Sequence, residues 1–97
     1  MKKEQLIRVD NICVLHNVEF SFINTLHEFG LIEITRQEDI AFIPESDLQQ
    51  AERFIRLHNE LQINPEGVEA VSYLLEKIKL QEEKIRHLEN RLSFYEG

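Results

Sequence analysis

The sequence predicts a mainly α-helical fold: a winged helix-turn-helix head with one small β-hairpin, followed by a long C-terminal coiled-coil helix. Three features predict it. Two short stretches of helical apolar spacing lie close together and end at Gly30. Two apolar, strand-like runs then flank the polar stretch Arg36-Gln37-Glu38-Asp39. Finally, no helix breaker falls between Gly67 and Gly97, and apolar residues recur there at alternating steps of three and four.

The elements follow in order. Leu6-Ile7-Arg8-Val9 reads as a short strand or an extended lead-in, and Asp10 is placed to cap a first helix carrying Ile12, Cys13, Leu15 and His16 and ending near Asn17. A second helix starts at Glu19 or Phe20 and sets Phe22, Ile23, Leu26 and Phe29 on one side. Gly30 then supplies the left-handed residue that ends it. Leu31 to Thr35 and Ile40 to Ile43 are the expected strands of the hairpin. Pro44-Glu45-Ser46-Asp47 opens a third helix, with Ser46 and Gln49 spaced as a capping box. Its inward stripe is Leu48, Ala51, Phe54, Ile55, His58 and Leu61.

Asn64-Pro65-Glu66 starts the fourth helix with a cap, a proline at the first helical position and an acid that suits the helix dipole. From Pro65 to about residue 95 it runs roughly 45 Å, more than the width of a small head. Its far end must therefore project. Val71, Leu74, Ile78, Gln81, Ile85, Leu88, Leu92 and Tyr95 form an a/d seam, and a projecting seam calls for a partner helix. Residues 1–63 are thus read as the head and 64–97 as a dimerisation arm. A homodimer is the simpler expectation; parallel, antiparallel and back-folded arrangements stay open. Glu82 with Arg86, and Glu52 with Arg56, have the acid-first spacing of exposed helical pairs.

With 97 residues, the chain has little room for a catalytic cleft. Its formal charge of −7 and pI near 5.0 argue against DNA or an anionic membrane as partner and favour a basic or apolar protein surface. Between Asp10 and Ile43 the lone Lys or Arg is Arg36, against Asp10, Glu19, Glu28, Glu33, Glu38 and Asp39. In the second helix Asn24, Thr25 and His27 have the chemistry to touch bases, but no cation stands beside them to hold phosphate. No run is long and apolar enough to cross a bilayer, no signal-peptide core follows Met1-Lys2-Lys3-Glu4, and the single Cys13 has no disulfide partner in the chain; a reducing cytoplasm is the plain expectation.

Catalytic and metal-binding patterns are sparse. Cys13 and His16 lie one helical turn apart, but a structural zinc takes four ligands, and His27, His58 and His87 fall on three different helices. No glycine-rich phosphate loop, nucleophile elbow or HExxH pair occurs. The expectation is a non-enzyme with no metal, cofactor or small-molecule substrate.

Four segments carry a family likeness: Phe29-Gly30-Leu31-Ile32 where the helix meets the hairpin, Ile55-Arg56-Leu57-His58-Asn59-Glu60-Leu61, Asn64-Pro65-Glu66-Gly67-Val68, and the terminal Leu88-Glu89-Asn90-Arg91-Leu92-Ser93-Phe94-Tyr95. In that order, over residues 6–95, the chain resembles the MerR-like helix-turn-helix proteins, and among them the chaperone modulator CbpM family. The DNA-binding members carry an aromatic and arginine-bearing wing turn, where this chain has Gln37-Glu38-Asp39, and the metal sensors carry cysteines near the end of the long helix, where this chain has none. The resemblance implies a protein that binds the J-domain of a CbpA/DnaJ-like co-chaperone and inhibits its stimulation of DnaK (Hsp70). The alternative is a MerR-like DNA-binding transcriptional regulator. Exposed acids at helix starts, Glu45, Asp47, Glu66 and Glu69, are the candidate partner contacts.

Overall fold

The computed structural model describes residues 4–96; the Met1-Lys2-Lys3 lead-in and the stop at Gly97 lie outside the described residues. The order is β1 (Leu6–Arg8), α1 (Val9–His16), α2 (Phe20–Glu28), β2 (Thr35–Gln37), β3 (Ile40–Pro44), α3 (Glu45–Leu61) and α4 (Pro65–Glu96). This is the expected mainly α fold, a helix-turn-helix head with a wing and a long terminal helix.

The wing is larger than a hairpin. Leu6–Arg8 is a true strand, antiparallel to β3 with Ile7 opposite Ile43, so the sheet has the order β1-β3-β2. Its second pairing, Thr35 with Phe42 and Gln37 with Ile40, is closed by Glu38 and Asp39 alone. Both adopt the left-handed backbone (φ 52° and 65°), the conformation that a two-residue turn needs to match the twist of its strands. Leu31 to Ile34, expected to begin the first strand, form no strand: the Asp47 carboxylate accepts the Glu33 N–H at 2.8 Å and holds this segment against α3. Ile32 is thereby placed in the core.

The helix starts differ from expectation in two places. Asp10 does not cap α1; the strand runs straight into the helix at Val9 with Arg8 as the cap residue, and the Arg8 guanidinium binds both Asp10 carboxylate oxygens at 3.1 and 2.7 Å. Starting at Val9 also rotates the buried face, so Val9 and Ile12 enter the core while Leu15 stays 77% exposed. At α3 the Ser46–Gln49 capping box does not form; the Ser46 N–H goes instead to the Glu4 carboxylate at 3.0 Å, an acceptor distant in sequence. Asn64 behaves as expected, its Oδ1 accepting the Gly67 N–H at 2.8 Å at the head of α4.

The core is a continuous cluster in which Phe54, Ile23, Leu26, Ile43, Ile55, Val9 and Val68 are the largest fully buried side chains. Ala51, Phe54 and Ile55 confirm the α3 stripe, but Leu61 at its end is 65% exposed, because the chain leaves the helix there through the left-handed Gln62. Glu52 faces His16 on α1 (3.1 Å) rather than pairing with Arg56, and no Glu82–Arg86 bridge occurs among the described residues. The molecule measures 59 × 39 × 21 Å with a radius of gyration of 17.5 Å, against about 13 Å for a compact chain of this size. The difference is the projecting part of α4, whose 32 residues extend about 48 Å. No helix among the described residues is long and apolar enough to cross a membrane.

Candidate protein-binding surface

The exposed face of the helix-turn-helix is set by what α1 and α2 bury. Phe22, Ile23 and Leu26 turn inward, leaving Ser21, Asn24, Thr25 and Glu28 on the side of α2 away from the core. These polar side chains are largely occupied with one another. Asn24 Nδ2 donates to the Glu28 carboxylate at 3.1 Å and Thr25 Oγ1 donates to the Ser21 carbonyl at 2.8 Å. His27, the third candidate base contact, has Nδ1 at 3.2 Å from the Ile32 carbonyl and so braces the segment that leads into the wing.

The cations of this face are engaged too. Arg36, on β2, lies over the Phe20 ring at 5.8 Å from its centroid, a cation–π arrangement that ties the wing to the start of α2. Arg8 is held by Asp10, which keeps the Asp10 carboxyl below the usual carboxylate range and raises the guanidinium further. The exposed acids Glu19, Glu28, Glu33, Glu38 and Asp39 have no such partner cation among the described residues. The field over the helix-turn-helix and wing is therefore negative, and a surface of that sign repels phosphate and attracts basic protein.

An apolar feature sits on the same head. Val14 and Leu15 are 83% and 77% exposed at the outer side of α1, adjacent residues that no element covers. The spacing of Val9, Ile12, Cys13 and His16 at i, i+3, i+4 and i+7 marks the inward face and assigns Val14 and Leu15 to the other side. Cys13 is half-buried, its thiol pushed up by burial and by the Asp10 charge, and it is thus held as a neutral thiol. His16 pairs with Glu52, and no group of three His, Cys, Asp or Glu residues fit to hold a metal occurs among the described residues.

The four candidate contact acids do not form one patch. Glu45 and Asp47 stand at the start of α3, while Glu66 and Glu69 stand at the start of α4, beside the far end of α3; the 17 residues of α3 separate the two pairs by about 25 Å. Asp47 is half-buried and committed to Glu33, whereas Glu45, Glu66 and Glu69 are exposed. The model of the family described as MerR HTH family regulatory protein matches residues 7–90. The chain belongs to this MerR family. The match runs from β1 through the greater part of α4, so it takes in the head, the wing and the arm of the MerR architecture together. None of the curated proteins compared with it matches.

Of the eight seam positions, Leu74, Ile78, Ile85, Leu88, Leu92 and Tyr95 are each more than half exposed, Gln81 is exposed and Val71 is partly covered near the head.

Proposed function

We propose that this MerR-family chain is a non-enzymatic modulator in the cytoplasm that binds the J-domain of a CbpA/DnaJ-like co-chaperone and inhibits its stimulation of DnaK (Hsp70). The observation that carries the reading is the charge of the helix-turn-helix face: its single wing cation lies over Phe20 while its acids stay exposed. A J-domain engages Hsp70 through a basic helix, so an acidic binder competes for the same surface. Opposite charge steers the encounter and raises the association rate; the exposed Val14–Leu15 pair supplies an apolar anchor of the kind that holds a complex once formed. Glu45, Glu66 and Glu69 are exposed acids that add to the negative charge of the chain at two separate places, and Asp47 acts indirectly by fixing residues 31–34. Localisation follows that of the co-chaperone and agrees with a lone, unpaired cysteine.

Titrating the protein against a purified J-domain of this class tests the reading. Binding at low salt that weakens as salt rises is the expected result, together with a reduced J-domain stimulation of DnaK ATPase. No measurable binding at low salt sinks the proposal.

A second reading, a DNA-binding transcriptional regulator, is favoured by family membership and by the intact helix-turn-helix with its wing. Its signature is specific, salt-sensitive retention of genomic fragments in a gel shift at nanomolar protein. That outcome reverses the ranking.

A further inference from the structure

At one edge of the acidic helix-turn-helix face, an open cleft of about 430 Å³ lies between the α1–α2 turn and the last turn of α3. We propose that this cleft receives a single cationic side chain of the basic partner, the ammonium of a lysine or the guanidinium of an arginine. The proposal rests on the modulator reading and adds to it the place where the partner's charge is bound.

The hydrogen bonds around the cleft determine what it can hold, because four of its polar groups have their donors turned into the protein. Thr25 Oγ1 gives its hydrogen to the Ser21 carbonyl at 2.8 Å, and Ser21 Oγ donates to the Glu19 carboxylate at 3.3 Å. Asn59 Nδ2 donates to the His16 carbonyl at 2.9 Å, which commits the amide nitrogen and leaves Oδ1 free to accept. His58 Nδ1 lies 2.8 Å from the Ile63 carbonyl. A carbonyl only accepts, so Nδ1 carries the proton of the neutral imidazole and Nε2 is left as an acceptor. Thr25 Oγ1, Asn59 Oδ1 and His58 Nε2 accept no hydrogen bond among the described residues. A cleft with spent donors and free acceptors suits a group that only donates. Lysine and arginine side chains are such groups; a phosphate or a carboxylate is not.

Charge and shape agree with that selection. Glu19 puts a carboxylate in the lining, and no lysine or arginine among the described residues lines the cleft. α1 and α3 both end there, so two negative dipole ends meet against the one positive start of α2. Val18 and Phe22 add apolar surface along which the methylenes of a long cationic side chain can lie. Phe22 is also stacked on His58, with ring centroids 4.2 Å apart and planes 14° from parallel, which fixes the direction in which Nε2 points.

Variants of the full chain, titrated with the J-domain, separate the cleft from the general field. Glu19→Gln is expected to raise the Kd about tenfold, and Thr25→Val, which keeps the shape and removes the hydroxyl, about fivefold. Glu28→Gln removes the same charge about 13 Å further along α2. It weakens the long-range field equally and is expected to stay within about twofold of the parent. Circular dichroism melting confirms that each variant is folded. Equal losses for Glu19→Gln and Glu28→Gln, or an unchanged Kd for Thr25→Val, overturn the proposal. A second titration does without the J-domain: Nα-acetyl-L-arginine amide at millimolar concentration, added to the isotope-labelled chain and followed by NMR, with the uncharged citrulline counterpart as control. Shifts at Ser21, Thr25 and the Asn59 side-chain amide with the arginine compound alone are expected. Those shifts in a chain that does not bind the J-domain overturn the modulator reading and uphold the cation site. Their absence overturns the cation site whether or not the J-domain binds.

Discussion

At the scale of the residue, the least expected contributor is Glu4. It lies outside every element, yet its carboxylate accepts the Ser46 N–H and thereby supplies the cap that the α3 sequence itself does not provide. Hydrogen bonding to Ser46, by side chain and then by backbone, lowers the Glu4 pKa below its ordinary value of 4.5. A carboxylate with a depressed folded-state pKa contributes stability that is fully present above its unfolded pKa and fades as pH falls through the folded one. Glu4→Gln is therefore expected to lower the midpoint of thermal unfolding at neutral pH, and the difference from the parent should vanish in strong acid. Melting curves from pH 7 to pH 2 check this; a gap that persists unchanged at the acid end contradicts it.

The elements show how much was legible in the sequence. α2, α3 and α4 were readable because each has a long apolar period and a local stop or start: Gly30 with its φ of 78°, Pro44, and Asn64-Pro65. The errors fall where a distant group decides a local conformation. Asp10 is a good cap by type, but Arg8 claims its carboxylate; Ser46 and Gln49 have capping-box spacing, but Glu4 arrives first; Leu31 to Ile34 have strand propensity, but Asp47 takes a backbone donor that a strand would need. Of the candidate contacts, charge sign was legible and location was not, since α3 keeps Glu45 and Glu66 apart. The two sides of the head also predict a contrast. Phe54→Ala, in the middle of the core, is expected to cost about 3–5 kcal/mol, whereas Leu15→Ala on exposed α1 is expected to stay within about 0.5 kcal/mol. Urea denaturation measures both, and Leu15→Ala is the variant in which to look for weakened J-domain binding without loss of fold.

For the whole molecule, the division of labour lies along α4. The core closes at Val68, so a chain ending after Leu80 keeps every buried residue and loses most of the exposed seam. It is expected to unfold cooperatively, with a midpoint that no longer depends on protein concentration, while the full chain melts at higher temperature as concentration rises. Light scattering on both proteins adds their masses. Two monomers, with no concentration dependence in either, would remove the arm as an assembly device.

The Glu38–Asp39 turn has a consequence for how such a protein changes over time. Two non-glycine residues hold left-handed backbone there at a conformational cost, and both carry the charge that sets the wing's field. Replacing them with Asn-Gly relieves strain and neutralises the tip in one step. The double variant is expected to gain about 1 kcal/mol of stability, read from the urea midpoint, with its sheet pairing intact; a loss would mean that the acids are needed for the turn itself. That outcome would make the electrostatic sign of the wing separable from its folding: a tip of two residues could be retuned without disturbing the scaffold that presents it.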